Sequence, residues 1–507
     1  MFCYLRVAGT VPVLSDGAGQ ALQAHDMLHG NLLLHGWWMT DVTMYTTELP
    51  QYVLVEAVAG LRPEVVHICA AMTYTLLVLL AALVARGRAA GAEGAVRAVL
   101  AAGIMLAPEP GAPTWVLLSS PDHVGTAVPV LLLMLLLDWA RPRWYVPVAA
   151  GVLLAWSIVG DPLVVVIGVL PVVVVCLARA CQGLLRRRVP LRSLWYELSL
   201  AAAAVVAVLA AEAADRLVRA LGGYSTNTSV THLTPLSALP GNVPVAVRSV
   251  LSLFGADLSS VHGGLNRTFA AIHLVGVALV LAAVVLAAWR LVRSLGSRAP
   301  ADSAAGADLV SGLLVVAVLA NVAAYCLAFR LTNIYQAHEI GPILALGAAL
   351  AGRQLGGPLL RARLVPALAA GLACYCVMLG YTATRAQTPP SSVTLAAWLA
   401  RHDLRHGLAP YWQASSTTLD SGGKITMGSV VPGRNGQLAP RHWLADMRLF
   451  SPAGHTADFL VIVPGGPVTS AQALATFGRP ARVYHYQGYT IMVWHKNLLR
   501  ELGPAVP

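Results

Sequence analysis

A set of ionisable side chains lies at the ends of apolar segments or in the polar loop that follows the first of them, so that each could act at a membrane surface. They are Asp16, Asp26, Asp41, Asp122, His123, Tyr335, His338 and Glu339. Ionisable groups at a membrane boundary are costly to place and therefore tend to mark function. Carboxylates there can deprotonate an acceptor hydroxyl or hold a divalent cation that neutralises a phosphate leaving group. We expect these distant residues to meet in one lipid-accessible cavity on the non-cytoplasmic side.

The densest part of this set lies in residues 15–64, which we predict to be the first external loop. The loop is too polar for hydrocarbon, yet too rich in Trp, Tyr, Met and Leu for a free linker. Asp16 opens it, directly after a short apolar segment. His25 and Asp26 follow on a predicted amphipathic helix, and Asp41 follows Trp37 and Trp38. We therefore predict that the loop is folded and carries part of the site.

Several of these residues have a purely structural interpretation as well. Asp16 and Asp122 each stand where they could cap a following helix. Glu339 could lie in the headgroup region with no partner. His25 and His29 have a spacing that suits a metal ion, but the HxxxH pattern here lacks a glutamate base and is weak.

The two adjacent tryptophans of the loop also have two interpretations. Trp37 and Trp38 are typical of an interfacial aromatic belt, and otherwise of a platform for a sugar or a lipid.

The composition identifies a membrane protein. Of 507 residues, 57% are hydrophobic and only 11% are charged, whereas soluble chains carry about a quarter charged residues. The mean hydropathy is +0.67. The net charge of +11 comes from arginines in short clusters between apolar runs, which is the positive-inside pattern and not a nucleic-acid-binding arm. All seven cysteines lie in apolar segments without a CxxC pair, which argues against a zinc or disulfide framework.

The apolar runs predict about eleven membrane spans, with residues 1–14 forming the outer half of the first. The other runs are 65–84, 96–118 (interrupted by prolines), 124–139, 144–159, 163–180, 194–213, 269–291, 309–329, 340–351 and 364–381. The arginine clusters place one set of loops in the cytoplasm. The long loop 214–268 and the C-terminus then lie outside. Residues 243–254 of that loop have helical spacing, either for a helix in the interface or for one packed on neighbouring loops.

Residues 384–507 regain polar composition and predict a small extracytoplasmic α/β domain. The fold class is thus a polytopic α-helical membrane protein with a C-terminal α/β domain, divided as 1–383 and 384–507. The predicted elements are a helix over 392–401, strands over 425–431 and 459–463, a helix to Phe477 capped by Thr469 or Ser470, and a hairpin of 482–486 with 489–495.

This arrangement resembles the GT-C superfamily of integral membrane glycosyltransferases, which includes protein O-mannosyltransferases and aminoarabinose transferases. The resemblance rests on an acidic residue after the first span (Asp16), a large first external loop, and an acidic motif at a later span boundary (Asp122-His123). A predicted C-terminal external domain is a further feature of this resemblance. The stretches YWQASSTTLDSGGKITM and VWHKNLL look similar to the tails of actinobacterial members. The paired acidic motif of several families is absent, because Gly17 follows Asp16.

The resemblance implies a transferase that takes a sugar from a polyprenyl phosphate in the outer leaflet. It passes the sugar to a cell-envelope glycan, lipid or protein. Asp16 then acts as base or positions the acceptor. Asp122 and His123 bind the donor phosphate, a cation or the acceptor, and Glu339 with Tyr335 completes the pocket. The remaining substrate-binding candidates are Asp26, Asp41 and His338. The resemblance implies no cofactor other than a divalent cation. Whether the protein binds that cation stays open.

Two other classes of function stay open at this point. One is a non-catalytic envelope scaffold that binds lipid or glycan, and the other is a lipid transporter. The chain has no Walker loop, GxSxG or HExxH motif. Few charges fall at mid-span positions, which argues against ion-coupled transport.

Overall fold

The computed structural model describes residues 1–185, 189–227, 234–261, 263–296, 308–328, 334–387 and 391–506. The chain forms two compact units. The helical unit comprises Met1–Thr10, Ala70–Ala214 and Thr231–Ala386. The mixed unit comprises Val11–Cys69, Asp215–Val230 and Gln387–Pro507. The predicted division into 1–383 and 384–507 stays a prediction.

Helices dominate, because a backbone in hydrocarbon must satisfy its own hydrogen bonds. The α-helices are α1 (Phe2–Ala8), α2 (Ser15–Leu28), α3 (Leu49–Ala59), α4 (Glu64–Arg86), α5 (Gly91–Met105), α6 (Ala112–Leu118), α7 (Asp122–Gly125), α8 (Ala127–Trp139), α9 (Tyr145–Gly160), α10 (Leu170–Leu185), α11 (Trp195–Ala220), α12 (Leu239–Leu253), α13 (Gly264–Gly296), α14 (Leu309–Ala328), α15 (Pro342–Arg361), α16 (Val365–Ala383), α17 (Ser391–Arg401), α18 (Tyr411–Asp420) and α19 (Ser470–Phe477). A π-helix over Val165–Val169 precedes α10, and short 3₁₀ helices include Ile334–Ile340 and Met447–Phe450.

Nine helical segments within the described ranges are long and apolar enough to cross a bilayer. They are Glu64–Arg86, Asp122–Trp139, Val165–Leu185, Leu191–Ala220, Leu236–Leu253, Gly264–Ser294, Leu309–Leu327, Gln336–Arg361 and Val365–Ala383. The polytopic helical fold is confirmed, with fewer such helices than the predicted number of spans.

The difference in number has three local causes. The predicted first segment forms only α1, of 7 residues. The run 96–118 is divided between α5 and α6, because its prolines cannot continue a helix. The run 144–159 becomes α9, which at 16 residues is short for a span. Conversely, the segment around α12, predicted to lie in the interface or on neighbouring loops, is long and apolar enough to span.

A buried ion network joins three helices of the helical unit. Nη1 of Arg353 in α15 lies 2.9 Å from a carboxylate oxygen of Asp138 in α8 and donates to the carbonyl of Val84 in α4 at 2.7 Å. Its Nε donates to Asp308 at 2.9 Å. Both Arg353 and Asp138 are buried. A buried charge is tolerated only when it is paired in this way, so the network fixes how these helices pack.

The mixed unit contains the strands β1 (Trp37–Trp38), β2 (His406–Ala409), β3 (Thr426–Pro432), β4 (Leu438–Pro440), β5 (Ala445–Asp446), β6 (Phe459–Ile462), β7 (Arg482–Tyr486) and β8 (Tyr489–Val493). Six of them form one sheet in the order β4-β3-β2-β6-β8-β7. Strand β2 is parallel to β3 and β6, and the other pairs are antiparallel. Alternate residues of β6 enter two different cores, because successive side chains of a strand point to opposite faces.

A third core of the mixed unit joins α2 and α3 to α18. Ala18 and Ala21 of α2, Leu49 and Tyr52 of α3, and Leu419 of α18 are all fully buried there. The small residues of α2 allow α18 to approach closely. The first turns of α2 and α18 are thereby held near each other within this unit.

Candidate functional site

Asp16 lies in the first turn of α2, where a negative charge complements the helix dipole. The residue before the helix is Leu14, and it makes no capping hydrogen bond. Asp16 instead accepts a hydrogen bond from the phenolic hydroxyl of Tyr411. The neighbouring Ser15 hydroxyl donates to the backbone carbonyl of Tyr411 at 2.6 Å. The capping interpretation of Asp16 is therefore wrong, and its carboxylate is held by a side chain of α18.

A cation lies beside this pair. The guanidinium of Arg441 lies 4.9 Å from the centre of the Tyr411 ring, within cation–π range. Arg441 follows β4 directly, and its backbone N–H donates to the carbonyl of Ser429 at 3.0 Å. Burial lowers the pKa of Arg441, while Tyr411 and Asp16 act to raise it. The three side chains form a compact acid, phenol and guanidinium group.

Asp26 lies more than two turns further along α2, and one of its carboxylate oxygens accepts three hydrogen bonds. Its Oδ2 accepts from Trp37 Nε1 at 2.8 Å, Asn31 Nδ2 at 2.5 Å and Arg448 Nη2 at 2.6 Å. Arg448 also makes two hydrogen bonds of 2.8 Å with Asp446. These bonds raise the pKa of Arg448, Asp446 contributing most. Asp26 is thus fixed by an ion pair that links α2 to the 3₁₀ helix at 447–450.

His25 of α2 and His29, which directly follows this helix, do not complete a metal site among the described residues. His25 and His29 stack with ring centres 4.2 Å apart. Nδ1 of His25 lies 2.6 Å from the carboxyl of Glu56 in α3. Across the ranges that the structure describes, no group of three or more His, Cys, Asp or Glu residues could hold a metal ion.

Asp41, the remaining candidate residue of the first loop, follows the two adjacent tryptophans in the chain. Asp41 is half-buried in a bend after β1. Trp37 is buried, and Trp38 stacks on His442 with ring centres 3.7 Å apart and nearly parallel planes. Strand β1 pairs with β5, so both tryptophans are packed within the mixed unit.

The helical unit holds a second group, centred on His123 in the single turn α7. Its Nδ1 lies 2.8 Å from Oδ2 of Asp161, and Asp161 is completely buried. Asp161 also accepts hydrogen bonds from the Thr126 hydroxyl and, at 2.8 Å, from the Leu163 backbone N–H. A carboxylate that accepts on both oxygens leaves Nδ1 of His123 as the donor. The second ring nitrogen of His123 then faces away from Asp161 and can act on another molecule.

Asp122, immediately before His123, has a left-handed backbone with φ of +39°. Neither Asp122 nor Pro121 caps α7 through its side chain, so the capping interpretation of Asp122 is wrong. Strain of this kind in a non-glycine residue persists only where the surrounding structure imposes it, and it concentrates at functional sites.

The 3₁₀ helix at 334–340 approaches the same group. The His338 ring stacks on that of His123, with ring centres 5.5 Å apart and planes inclined by 11°. The backbone carbonyl of Glu339 accepts a hydrogen bond from Asn321. A β-carbon added to Gly341 would lie 2.6 Å from Val124 Cγ2, so this close approach requires a glycine. Tyr335 falls in the same helix, but its side chain lies outside the described part of the structure.

The structure therefore holds two groups of candidate residues, one in each unit. Asp16 and Asp26 belong to the mixed unit, and His123 with His338 belongs to the helical unit. The predicted convergence of Asp16 with Asp122 and Glu339 in one cavity stays a prediction.

Sequence analysis missed the partners that orient these residues. Asp161 was not among the predicted site residues, although a carboxylate between two long apolar runs is itself a signal. Tyr411 opens the stretch YWQASSTTLDSGGKITM, but nothing in that stretch indicates its partner. Arg441 and Arg448 lie in a polar segment with no short motif to single them out.

The fold and these groups define a multi-pass membrane protein with an appended α/β unit. Its fold is similar to that of ArnT from Cupriavidus metallidurans in a crystal structure with undecaprenyl phosphate bound. The two share a TM-score of 0.54 and 14% sequence identity over 99% of this chain and 97% of that one. At this identity the likeness shows a common fold.

The other comparisons give less information about this chain. An Archaeoglobus fulgidus oligosaccharyltransferase, in a crystal structure of its apo form, has a TM-score of 0.46 and 12% identity over 90% of this chain and 66% of that one. At that score the likeness carries no argument. The Inovirus Coat protein B family matches residues 251–296, a stretch dominated by the apolar helix α13. This short match does not show a family. Curated protein sequences give no match.

Proposed function

We propose that this protein is a membrane glycosyltransferase that moves a sugar from a polyprenyl-phosphate donor to a cell-envelope acceptor on the non-cytoplasmic face. The observation that carries the proposal is the end-to-end likeness to an ArnT structure that holds undecaprenyl phosphate. The proposal includes membership of the GT-C superfamily, an external mixed unit, and a donor that enters from the outer leaflet.

In this proposal Asp16 is the base for the acceptor. Its carboxylate takes the proton from an acceptor hydroxyl, the oxygen bonds to the anomeric carbon, and the bond from that carbon to the phosphate oxygen breaks. Polyprenyl phosphate leaves with the bonding electron pair. The hydroxyl of Tyr411 supports this role, since it fixes the position of the carboxylate. Arg441 lies beside the pair, and its positive charge offsets the negative charge of the Asp16 carboxylate.

The donor phosphate is proposed to bind at the group around His123. Asp161 accepts from Nδ1 of His123 and fixes the ring, so that the imidazolium form presents its second N–H to a phosphate oxygen. His338 supports the ring of His123 by stacking. Asp122 and Glu339 are proposed to hold a divalent cation or the acceptor, and Tyr335 to complete the pocket. Asp26 and Asp41 are proposed to contact the acceptor.

Reconstitution tests the proposal. The purified protein in liposomes is supplied with undecaprenyl-phosphate hexose and an envelope lipid or glycan extract, and the products are identified by mass spectrometry. We expect a product one hexose heavier than an acceptor, together with free undecaprenyl phosphate. Liposomes without protein serve as the control. Binding of envelope glycan with no transfer from any polyprenyl-phosphate hexose would contradict the proposal and favour the non-catalytic envelope protein.

A further inference from the structure

The mixed unit contains a cavity of about 250 Å³ that none of the proposed catalytic residues lines. Residues from six elements line it: α2, β1, α18, β3, β5 and the 3₁₀ helix at 447–450. Its volume equals that of roughly eight water molecules at about 30 Å³ each, below the range of about 300–1,000 Å³ that drug-sized ligands occupy. The space therefore suits one small ring and not an extended chain.

The charges in the wall disfavour an anion. Two carboxylates, Asp26 and Asp446, line the cavity together with a single guanidinium, that of Arg448, which is paired with both. Burial lowers the pKa of His25, the nearby His29 adds to this effect and Asp26 opposes it, so that burial disfavours a positive charge on this lining imidazole. A phosphate in the cavity would meet an excess of negative charge.

One residue of the cavity wall, Ser429, has a hydroxyl without a partner within the described part of the chain. Ser429 lies on β3 and is only 6% exposed, and its Oγ makes no hydrogen bond there. A buried hydroxyl without a partner is unfavourable, and a ligand hydroxyl in the cavity can supply that partner. Nη1 of Arg448 likewise makes no hydrogen bond among the described residues, whereas its Nε and Nη2 do. The cavity thus offers the Ser429 hydroxyl, an N–H donor of Arg448 and carboxylate acceptors.

The rest of the wall is apolar. Leu22, Trp37, Leu444 and Phe450 line it beside these polar groups. A wall with both polar and apolar groups matches a pyranose ring. The faces of such a ring carry C–H groups that pack against apolar and aromatic side chains, and its edge carries hydroxyls. A purely apolar ligand would leave Ser429 unpaired, and the metal alternative lacks a third ligand among the described residues.

We propose that this cavity binds one neutral sugar residue. The hydroxyl of Ser429 and the Asp26–Arg448–Asp446 edge hydrogen-bond the sugar hydroxyls, and the apolar side chains pack against its ring. The further assignment of that sugar to the acceptor glycan rests on the proposed function; the binding site itself does not.

Ligand binding to the full chain tests the site. The protein is purified in a detergent without a sugar headgroup and titrated separately with methyl α-glucopyranoside, methyl α-mannopyranoside and sodium phosphate. Saturation-transfer NMR and calorimetry report binding. We expect at least one hexoside to bind saturably and phosphate not to bind. Ser429→Ala should weaken hexoside binding about five- to tenfold, as the loss of one hydrogen bond to a buried hydroxyl does.

The matched control is Ser416→Ala. Ser416 is also buried, lies on α18, and donates to the Trp412 carbonyl at 2.8 Å, but it does not line the cavity. Its loss should leave hexoside affinity unchanged. Equal affinity in wild type and Ser429→Ala, no saturable binding of either hexoside, or tighter binding of phosphate would each overturn the inference.

These titrations contain no polyprenyl donor, so their outcome is independent of the transfer reaction. A protein that binds a hexoside through Ser429 but never transfers a sugar contradicts the proposed function and supports the site. A protein that transfers a sugar yet shows no binding effect at Ser429 overturns only the site.

Discussion

Tyr411 donates its phenolic hydrogen bond to the carboxylate of Asp16, 395 residues earlier in the chain. Both residues lie in the first turns of their helices, α2 and α18. Ser15 adds a second link, to the backbone carbonyl of Tyr411. The side chain proposed as the base is thus positioned by the C-terminal part of the mixed unit, and this dependence can be tested directly.

Tyr411→Phe removes the hydroxyl while it keeps the ring that Arg441 covers. Hydrogen bonds to charged groups contribute about 1.5–3 kcal/mol, so we expect sugar transfer to fall about tenfold or more, with unchanged yield of folded protein. Tyr489→Phe, in the hairpin strand β8, is the control and should keep wild-type transfer. Wild-type transfer by Tyr411→Phe would show that the phenol does not position Asp16.

Asp161→Asn tests whether the buried carboxylate positions His123. The amide cannot accept on both of the atoms that bond His123 and Leu163, so the imidazole loses its fixed orientation. We expect the transfer rate to fall about 10–100-fold, as when an outer partner of a functional histidine is lost. The loss should appear in kcat and in KM for the donor, measured in liposomes.

The control for Asp161 is Asp403→Asn, since Asp403 is exposed and bonds only to the neighbouring Arg405 among the described residues. This change should leave both constants unaltered. An Asp161→Asn protein with unaltered donor KM and kcat would remove His123 from the proposed phosphate site.

Glu56 should make stability depend on pH. Burial raises its pKa to about 7 from an ordinary 4.5, with His29 acting in the opposite direction. The folded state then holds this proton at pH values where the unfolded state has lost it. The stabilisation of the folded state by this bound proton is fully present below about pH 4.5, declines as the pH rises, and is lost above about pH 7. Its contribution to the free energy of unfolding is on the order of 3 kcal/mol.

Glu56→Gln should therefore flatten the decline in thermal midpoint between pH 5 and 7, and raise the midpoint at pH 8 relative to wild type. Glu64→Gln, an exposed Glu in the first turn of α4, is the matched control and should keep the wild-type pH profile. Parallel declines in wild type and Glu56→Gln would show that the proton is held elsewhere.

Gly341→Ala should separate the stacked histidines. The added β-carbon would lie 2.6 Å from Val124 Cγ2 and 3.0 Å from the His338 carbonyl, so the 3₁₀ helix must shift. We expect a lower thermal midpoint and about tenfold slower transfer. Gly371→Ala, in α16 with nothing near its β-carbon, should instead stabilise its helix by about 0.5–1 kcal/mol. Equal behaviour of the two variants would contradict the requirement for a glycine at position 341.

Much of the fold could be predicted, because it follows from local pattern. Long apolar runs gave the helices, and the Thr469 cap, the helix to Phe477 and the hairpin of β7 and β8 were all predicted close to their observed bounds. Strand β2 and helix α18 were missed, because the sequence of β2, HGLA, contains no Val, Ile, Thr, Phe, Tyr or Trp, and α18 is rich in Ser and Thr, which are weak helix formers.

The partners within each site could not be predicted for a different reason. Tyr411 and Asp16, or Asp161 and His123, meet through tertiary packing, and no spacing in the sequence encodes a contact across 395 or 38 residues. The sequence did mark Asp16 and His123 by their place at apolar boundaries. The residues that hold Asp16 and His123 in position were identified only from the folded structure.

The initial rate of sugar transfer by Asp16→Asn, beside wild type in the same liposomes, tests the central claim most directly. The asparagine keeps an oxygen that can accept the Tyr411 hydrogen bond but cannot take a proton from the acceptor. Because general bases contribute about 10²–10⁴-fold to rates, we predict a fall of at least about a hundredfold with unchanged expression and thermal midpoint. Transfer at the wild-type rate by Asp16→Asn would contradict the assignment of Asp16 as the base.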